Sequence, residues 1–396
     1  MISTRPDPLV SVIIPAYNQG PLLARAIGSA LGQTYSQVEI VVVNDGSTSP
    51  VTRETVEPYL GRIVYLEKEN GGVAAARNAG VEAATGELIA WLDQDDVWLP
   101  DKLAMEVRAL RDHPRVALVH SSYYLIDSAG ARTNLARLRE REWWALPELL
   151  VKGTICTSSV LMPREVLVSN GSLDPELNGA DDWDLYLRLA ARGYSFFSVE
   201  KPLAEYRIHQ ENTATKPDLM LSVWVKMLDK FYALPGLSEE VMRWRGRAYF
   251  QKYAGAVALY YGAGNLEAAR TCLRKAAEHY PEGIATGRFL QSLIYSRSQQ
   301  PTLATAEEAV RFVREGPKGE RLPHGIRRKL ESRSWLVLAL HEGSSVGRRA
   351  RDLTRAFGSD PSMVVDRELW AVGGRVPGRV ISRLRARGRL AGVAGE

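Results

Sequence analysis

Short apolar runs alternate with segments of helical period along the first hundred residues. Near-continuous apolar runs occur at residues 9–16, 39–44, 62–67 and 88–92. Between them, apolar side chains recur at helical spacing over residues 21–32 and 73–84. Strands that are apolar on both faces and alternate with helices are typical of a mainly parallel sheet covered by helices. The pattern therefore predicts an α/β fold for this part of the chain.

Polar residues follow three of these runs, at the points where the predicted strands end. Residues 15–18 end the first run, residues 45–47 follow the second, and residues 93–95 follow the fourth. In open parallel sheets, ligands bind beyond the carboxyl ends of the strands. The sequence therefore predicts one ligand site at which these three segments meet.

The fourth run ends in three carboxylates, those of Asp93, Asp95 and Asp96. Alternate residues of an extended chain point to the same side, so Asp93 and Asp95 can share one ion. Carboxylate oxygens are ligands that hard divalent cations prefer. A single Asp-x-Asp is more often a solvated acidic turn, and the convergence of strand ends is what favours a cation site.

The pattern changes to helices after about residue 215. Residues 260–281 combine small residues at helix-crossing positions, a Gly-Asn turn and a closing proline, and are similar to one tetratricopeptide-type helical hairpin. The predicted organisation is an α/β domain over 1–215, a helical hairpin domain over 216–295, a linker with a partial helix over 296–324, a helical segment over 325–370 and a basic tail over 371–396.

Composition and charge narrow the class of protein. With 45% hydrophobic and 24% charged residues, the chain has a globular composition, and no apolar stretch approaches the length that spans a bilayer. Cys156 and Cys272 are far apart and the six histidines are scattered, so we expect reduced thiols, no zinc site and a cytoplasmic location. Residues 1–215 hold 20 Lys and Arg against 28 Asp and Glu, whereas residues 216–396 hold 31 against 18. The acidic part suits a cation, and the basic part suits an anionic partner.

The basic tail carries six arginines and one acid, with apolar residues at helical spacing between them. Such a helix can lie on an anionic membrane surface, which would place the protein peripherally on the inner face of the cytoplasmic membrane. A disordered tail and a helix docked on the acidic half are equally open. Nucleic-acid binding is not expected, because no aromatic residues are interleaved with the arginines.

Five motifs lie in order along the N-terminal half, at residues 12–18, 41–48, 70–78, 91–96 and 181–188. Together they resemble the motifs of family 2 glycosyltransferases with the GT-A fold, and the resemblance covers about residues 8–213. It implies an inverting, metal-dependent transfer of a sugar from a nucleotide donor, with Mn²⁺ or Mg²⁺ as the cofactor.

The same resemblance implies roles at a donor site. Asp95 would bind the metal ion, Asp93 would share the ion or contact the ribose, and His209 would reach the metal or the diphosphate. Asp45 would accept a hydrogen bond from a pyrimidine base. The remaining donor-site residues implied are Pro15, Ala16, Tyr17, Asn18, Asn70, Arg77 and Arg207. Plainer roles stay open: a turn and helix N-cap residue for Asp45, a surface ion pair for Arg77 and a structural role for His209.

Asp182 resembles the general base of the family, which deprotonates the acceptor hydroxyl. It opens an amphipathic helical segment that would hold it rigidly. Asp181 stands where the family usually has Glu, and capping of the helix dipole is its plain alternative. The resemblance places the acceptor side of the cleft at the hydroxyls of Thr154, Thr157, Ser158 and Ser159.

The sequence thus predicts a glycosyltransferase that uses a nucleotide-sugar donor, with UDP favoured, and a hydroxyl of a cell-surface glycan or lipid-linked saccharide as acceptor. A nucleotidyltransferase is one rival, but it would need a Gly-rich, Lys-containing loop after the first strand, and residues 15–18 are not one. A non-catalytic interaction protein with a retired transferase domain is the other rival. The intact Asp93, Asp95 and Asp182 speak against it.

Overall fold

The computed structural model describes residues 7–151, 155–208, 217–296, 303–315 and 328–329. The chain divides into two compact units, Met1–Trp244 and Arg245–Glu396. The division falls later than the change of pattern at residues 215–216. The N-terminal unit therefore includes two helices beyond the predicted α/β domain.

The described part of the N-terminal unit contains ten strands and nine α-helices. The strands are β1 (Val10–Ala16), β2 (Val38–Asp45), β3 (Val64–Lys68), β4 (Leu88–Trp91), β5 (Val97–Trp98), β6 (Val116–Ile126), β7 (Arg132–Ala136), β8 (Arg141–Trp143), β9 (Val160–Pro163) and β10 (Ser195–Arg207). The helices are α1 (Pro21–Leu31), α2 (Val51–Val56), α3 (Val73–Ala83), α4 (Lys102–Asp112), α5 (Leu146–Val151), α6 (Arg164–Ser169), α7 (Asp181–Ala191), α8 (Pro217–Tyr232) and α9 (Glu239–Arg243). Short 3₁₀ turns occur at Glu57–Tyr59, Thr157–Ser159 and Pro175–Leu177.

One sheet runs through the N-terminal unit in the order β3-β2-β1-β4-β9-β6-β10-β5, with β7 beside β6 and β8 beside β10. The first four strands are parallel, which confirms the predicted α/β fold. Strand β9 then pairs antiparallel with both β4 and β6, so the sheet is mixed beyond β4. The sequence did not predict this half, because β9 and its neighbours lack the regular strand–helix alternation of the first hundred residues.

The apolar strands are buried on both faces because helices cover both sides of the sheet. Val12 and Ile14 of β1 belong to the core that includes Leu23 and Ile27 of α1. Val41 and Val43 of β2 pack with α3 on another part of the core. Alternate residues of a strand point to opposite faces, so strands between two helical layers need apolar residues at every position. Polar residues are therefore found in the loops that follow the carboxyl ends of the strands.

The described part of the C-terminal unit is helical, as the sequence predicted. Its helices are α10 (Arg245–Gly262), α11 (Leu266–His279), α12 (Pro281–Ile284), α13 (Gly287–Ser296) and α14 (Leu303–Glu315). Helices α10 and α11 form a hairpin, and the side chain of Asn265 begins α11 by accepting a hydrogen bond from the Ala268 N–H at 3.1 Å. The likeness to a tetratricopeptide hairpin stays a prediction, as do the predicted domain boundaries.

The structure describes only parts of the remaining predicted segments. The predicted linker contains α14, and residues 328–329 are the only described part of the predicted helical segment. The basic tail, and with it the predicted membrane contact, lies outside the described residues. Within the part of the chain that the structure describes, no helix combines the length and apolar character required to cross a membrane.

Two helical glycines provide a test of the packing of α3 on the sheet. A Cβ at Gly80 of α3 would lie 2.4 Å from Cγ2 of Ile13 on β1, whereas a Cβ at Gly28 of α1 would meet nothing within 4 Å. Gly80→Ala should therefore lower the free energy of unfolding by about 1–3 kcal/mol, because the helix must move off the strand. The matched variant Gly28→Ala should raise it by up to about 1 kcal/mol through helix propensity. Urea denaturation followed by tryptophan fluorescence measures both, and equal effects would contradict the close approach of α3 to β1.

Candidate functional site at the carboxyl ends of the parallel strands

The loops that follow β1, β2 and β4 are tied to one another. Asn18 adopts the left-handed conformation with φ +49°, and its Oδ1 accepts hydrogen bonds from the backbone N–H groups of Thr48 and Ser49 at 2.9 and 3.1 Å. Gln94 accepts a hydrogen bond from the Tyr17 N–H at 2.8 Å. The strand ends therefore meet, as the sequence predicted.

The residues at the end of β1 differ in exposure. Pro15 and Ala16 are buried within the strand. Tyr17, the next residue, is 42% exposed. An exposed ring at this edge is available for stacking, whereas the two residues before it contribute backbone and packing.

Asp45, the last residue of β2, is buried and holds the loop after β3. Its Oδ1 accepts hydrogen bonds from Lys68 Nζ at 2.7 Å and the Gly71 N–H at 3.0 Å, and its Oδ2 accepts one from the Gly72 N–H at 2.8 Å. Asn70 donates to the Asp45 carbonyl at 2.9 Å. Asp45 thus fastens the loop after β3 and does not cap a helix, since α2 begins at Val51 after Pro50. Its role toward a nucleotide stays a prediction.

The three carboxylates after β4 have different surroundings. Asp96 is buried, where its Oδ2 accepts from the Ser158 hydroxyl and its Oδ1 from the Arg207 N–H at 2.8 Å. Burial and the nearby charges of Asp95 and Asp93 raise the pKa of Asp96 well above its usual range. Asp93 and Asp95 are only partly buried. Asp96 thus belongs to the scaffold, and the other two lie toward solvent.

Arg77, on α3, lies at the centre of the site. Its guanidinium donates from Nη2 to Asp93 Oδ1 at 2.6 Å and from Nη1 to Asp181 Oδ2 at 3.0 Å. Although burial lowers the pKa of Arg77, the charges of Asp93, Asp181 and Asp182 raise it above its usual value. The predicted alternative of a surface ion pair is wrong, because the Arg77 side chain is only 5% exposed.

Asp182 is the second residue of α7 and adjoins Asp181. Its Oδ1 accepts a hydrogen bond from the Trp183 N–H at 2.7 Å, and its Oδ2 accepts one from the Thr157 hydroxyl. Burial and the charge of Asp181 raise the pKa of Asp182 to about 6, against the opposing effects of Arg77 and the two hydrogen bonds. The carboxyl group therefore titrates near neutral pH, in the range where an acid–base catalyst operates.

Helix α8 fastens the start of α7 from the other side. Lys230 donates to Asp174 Oδ2 at 2.8 Å and to Asp184 Oδ2 at 3.2 Å, and Asp184 also pairs with Arg188 at 2.8 Å. The Trp183 and Trp224 rings meet edge to face with centroids 6.3 Å apart. The position of Asp182 is thereby fixed by contacts on both sides of its helix.

Arg207, which was predicted as a phosphate partner, is buried in the structure. Its Nε donates to the Asp95 carbonyl at 2.9 Å, and its Nη1 donates to the carbonyls of Asp127 and Ser128 at 2.8 and 3.1 Å. These bonds hold the loop after β4 against the turn after β6. The structure thus gives Arg207 a structural role, and its phosphate contact stays a prediction.

Asp93 and Asp95 are the residues best suited to hold a metal ion. They offer the oxygen ligands that Mg²⁺ and Mn²⁺ prefer, at the partly open edge of the sheet. Within the described residues, no group of three or more His, Cys, Asp or Glu side chains forms a complete metal site. His209, the third predicted ligand, lies outside the described residues, as does Thr154. The chemistry of the two carboxylates fits an ion whose other ligands come from a bound diphosphate.

Sequence reasoning missed several residues that build the site. Lys68 pairs with Asp45, and Gln94 links the loops after β1 and β4. Ser158 was predicted on the acceptor side of the cleft, but the hydrogen bond that its hydroxyl accepts from the Asp93 N–H at 3.1 Å was not predicted. One signal was available for the loop next to Asp45. Gly46 has φ +68°, and a Cβ there would lie 2.6 Å from the Asn70 nitrogen. A Gly directly after the Asp therefore indicated a close approach of two loops.

Comparison with known proteins identifies the family. The family model described as glycosyl transferase family 2 matches residues 11–158. The N-terminal part of the chain belongs to glycosyl transferase family 2. A protein of Rickettsia felis, named an uncharacterized glycosyltransferase, is 34% identical over 217 residues, which are 53% of this chain and 36% of that protein. Chondroitin synthase of Escherichia coli is 30% identical over 213 residues, 53% of this chain and 30% of the synthase.

The fold of this chain is also similar to that of a solved protein. S. aureus TarS 1–349, crystallised in complex with UDP-GlcNAc, aligns with a TM-score of 0.55 and 16% sequence identity, covering 76% of this chain and 89% of that chain. The likeness confirms the GT-A fold. This chain spans only 35–36% of the length of the first three curated relatives that it matches.

Removal of Arg77 should destabilise the family 2 domain. Arg77→Met leaves the buried Asp181 carboxylate without its cation, so we expect the free energy of unfolding to fall by about 3–5 kcal/mol. Arg53→Met is the matched control, because Arg53 pairs with Glu67 at 3.2 Å on the surface, with side chains 59% and 50% exposed. That variant should lose at most about 1 kcal/mol. Urea denaturation of both variants is the measurement, and similar losses would show that the Arg77 bridge is not a structural centre.

Proposed function

We propose that this chain is an inverting, metal-dependent glycosyltransferase that moves a sugar from a nucleotide-sugar donor to a saccharide hydroxyl. The observation that carries the proposal is the bridge of Arg77 between Asp93 and Asp181. It connects the carboxylates after β4, which suit a metal-bound diphosphate, to the residue next to Asp182, which suits a base. The groups that would bind the donor diphosphate and the group that would activate the acceptor hydroxyl are thus at one edge of the sheet.

The donor is proposed to be a UDP-sugar. The carboxylate of Asp45 has acceptor capacity for about four hydrogen bonds, and the described residues supply three of them. One acceptor position is left for the imide N–H of uracil, a donor that guanine presents in a different arrangement. The exposed Tyr17 ring offers a stacking face beside it. TarS, which shares the fold, binds UDP-GlcNAc, and this supports the choice.

Asp95 and Asp93 are proposed to hold Mn²⁺ or Mg²⁺ together with the donor diphosphate. When bound, the ion would act as a Lewis acid that neutralises the charge developing on the leaving diphosphate. Arg77 adds a fixed positive charge that is bonded to Asp93. Asn70 is exposed in the loop before α3, where its amide donates to the Asp45 carbonyl at 2.9 Å, and it is proposed to contact the nucleotide.

Asp182 is proposed to be the general base. In its ionised form, it accepts the proton of the acceptor hydroxyl while that oxygen forms its bond to the anomeric carbon and the diphosphate oxygen leaves with the bonding electron pair. The start of α7 is held by Arg77 on one side and by α8 on the other, so the carboxylate needs little reorganisation. Attack from the face opposite the diphosphate gives inversion at the anomeric carbon.

The acceptor is proposed to be a hydroxyl of a cell-surface glycan or lipid-linked saccharide precursor. The name of chondroitin synthase, one of the relatives, supports a saccharide acceptor. A nucleotidyltransferase is disfavoured, because the segment after β1 forms side-chain bonds from Asn18 to the loop after β2 and has no Gly-rich phosphate loop. A retired transferase domain is disfavoured by the complete set of charged partners around Asp182.

Asp182→Asn tests the base directly. The amide cannot accept the proton, so we expect transfer to a saccharide acceptor and hydrolysis of UDP-sugar to fall by about 10²–10⁴-fold. Asp101→Asn is the matched control, since Asp101 also lies at the start of a helix, as the N-cap of α4, but pairs with Lys201 on the surface. Activity of the wild type should require Mn²⁺ or Mg²⁺ and disappear with EDTA. Full activity in EDTA, or in Asp182→Asn, would contradict the mechanism.

The pH dependence of kcat/KM should report Asp182. Its pKa is raised to about 6 by burial and by Asp181, and the base must be ionised, so activity should fall as the pH drops through about 6. Because the folded-state pKa is raised, protonation of this group favours the folded protein between its unfolded and folded pKa values. Titration of Asp182 therefore cannot unfold the chain in that window. A rate that is constant from pH 7 to pH 5 would contradict the assignment.

A further inference from the structure

The base carboxylate is held by a side chain from a distant part of the chain. Thr157, on the 3₁₀ turn Thr157–Ser159, donates its hydroxyl hydrogen bond to Oδ2 of Asp182, while the Trp183 N–H occupies Oδ1 at 2.7 Å. Thr157 is buried, so this hydroxyl faces protein on its other sides. A hydrogen bond to an ionised carboxylate orients that group and favours its charged form.

The next residue of the same turn holds the metal-binding corner. The Ser158 hydroxyl accepts from the Asp93 N–H at 3.1 Å and donates to Asp96 Oδ2. The Ser158 carbonyl accepts from Trp98 Nε1 at 2.7 Å. Two adjacent hydroxyl side chains therefore reach in two directions, one to the base and one to the carboxylate loop after β4.

Hydrogen bonds and burial hold Thr157 and Ser158 in a fixed position relative to each other. The Ser159 N–H and the Ser159 hydroxyl both donate to the Cys156 carbonyl, at 2.9 and 2.7 Å. Thr157, Ser158 and Ser159 are all buried, and β9 follows directly as a fully buried strand of the sheet. Movement of Thr157 relative to Ser158 would break several of these contacts at once.

We propose that Thr157 is a positioning residue for the base Asp182, and that the turn Thr157–Ser159 sets the base at a fixed place relative to the metal-binding carboxylates. This inference rests on the proposed function. In this role, Thr157 orients the Asp182 carboxylate and favours its ionised form, and Ser158 holds Asp93 in place. Thr157 itself transfers no proton in this role.

Loss of the Thr157 hydroxyl should change kcat and the pH profile but not the KM for the donor. Thr157→Val keeps the shape of the side chain but removes the donor, so the ionised Asp182 is less stabilised and less well oriented. At pH 7, kcat should fall on the order of tenfold, and the acidic limb of the pH profile should move upward by about one pH unit. The KM for the donor should stay unchanged, since the donor contacts are not altered.

Three further variants complete the experiment. Thr157→Ser restores the hydroxyl and should return kcat and the acidic limb to near wild-type values. Ser158→Ala should raise the KM for the donor or the metal while leaving the acidic limb in place. Ser198→Ala is the control for loss of a buried hydroxyl, because Ser198 donates to the Arg139 carbonyl at 2.6 Å away from the site, and it should change neither quantity.

The assay measures saccharide transfer and donor hydrolysis with UDP-sugar and Mn²⁺ on the full chain, with thermal melting as a check of folding. If Thr157→Val does not fold, Thr157→Ala carries the same expectation. A folded Thr157→Val or Ala with wild-type kcat and an unmoved limb would overturn the proposal. So would a Thr157→Ser variant as impaired as Val, which would indicate packing alone.

Failure of the inference is distinguishable from failure of the proposed function. A wild-type chain without metal-dependent transfer or donor hydrolysis would refute the function itself. An active wild type that is inactivated by Asp182→Asn, but is indifferent to Thr157→Val, would refute only the role of Thr157.

Discussion

The buried guanidinium of Arg77 is the interaction on which the site depends. It joins Asp93, which follows β4, to Asp181, the first residue of α7. In sequence, Arg77 is 16 residues from Asp93 and 104 residues from Asp181. A buried cation between two carboxylates is favourable only when both partners stay in place, because desolvation must be offset by close, well-directed bonds. The ion pair therefore fixes Asp93 relative to the start of α7, where the proposed base Asp182 lies.

Other contacts hold the neighbouring carboxylates in the same way, some through neutral donors and some through lysines. The Thr157–Ser159 turn reaches Asp182 and the loop after β4 from the far side, and Lys230 of α8 fastens Asp174 and Asp184. Asp45 gathers donors from the loop after β3. Asp45, Asp93, Asp96 and Asp182 thus each have a fixed partner. The pKa of Asp182 is raised because burial and the charge of Asp181 outweigh its partners.

Local patterns were sufficient to predict the parallel half of the sheet and the strand ends at which the site lies. Asp93 and Asp95 could be singled out because they follow a readable strand, and Asp182 because its motif resembles that of a known family. The contact of Arg77 with Asp181 and the bond of Thr157 to Asp182 could not, since 104 and 25 residues separate the partners and no periodicity links them. The carbonyl contacts of Arg207 could not be predicted for a related reason. A cation near a phosphate site and one that binds backbone carbonyls look identical in sequence, and only burial separates them.

The most direct test is a crystal structure of the chain with UDP and Mn²⁺, with anomalous diffraction to locate the metal. We expect manganese bonded to a carboxylate oxygen of Asp95, uracil at Asp45 beside Tyr17, and Arg77 still bonded to Asp181. Manganese bound away from Asp93 and Asp95, or Arg77 released from Asp181 in the complex, would contradict this expectation.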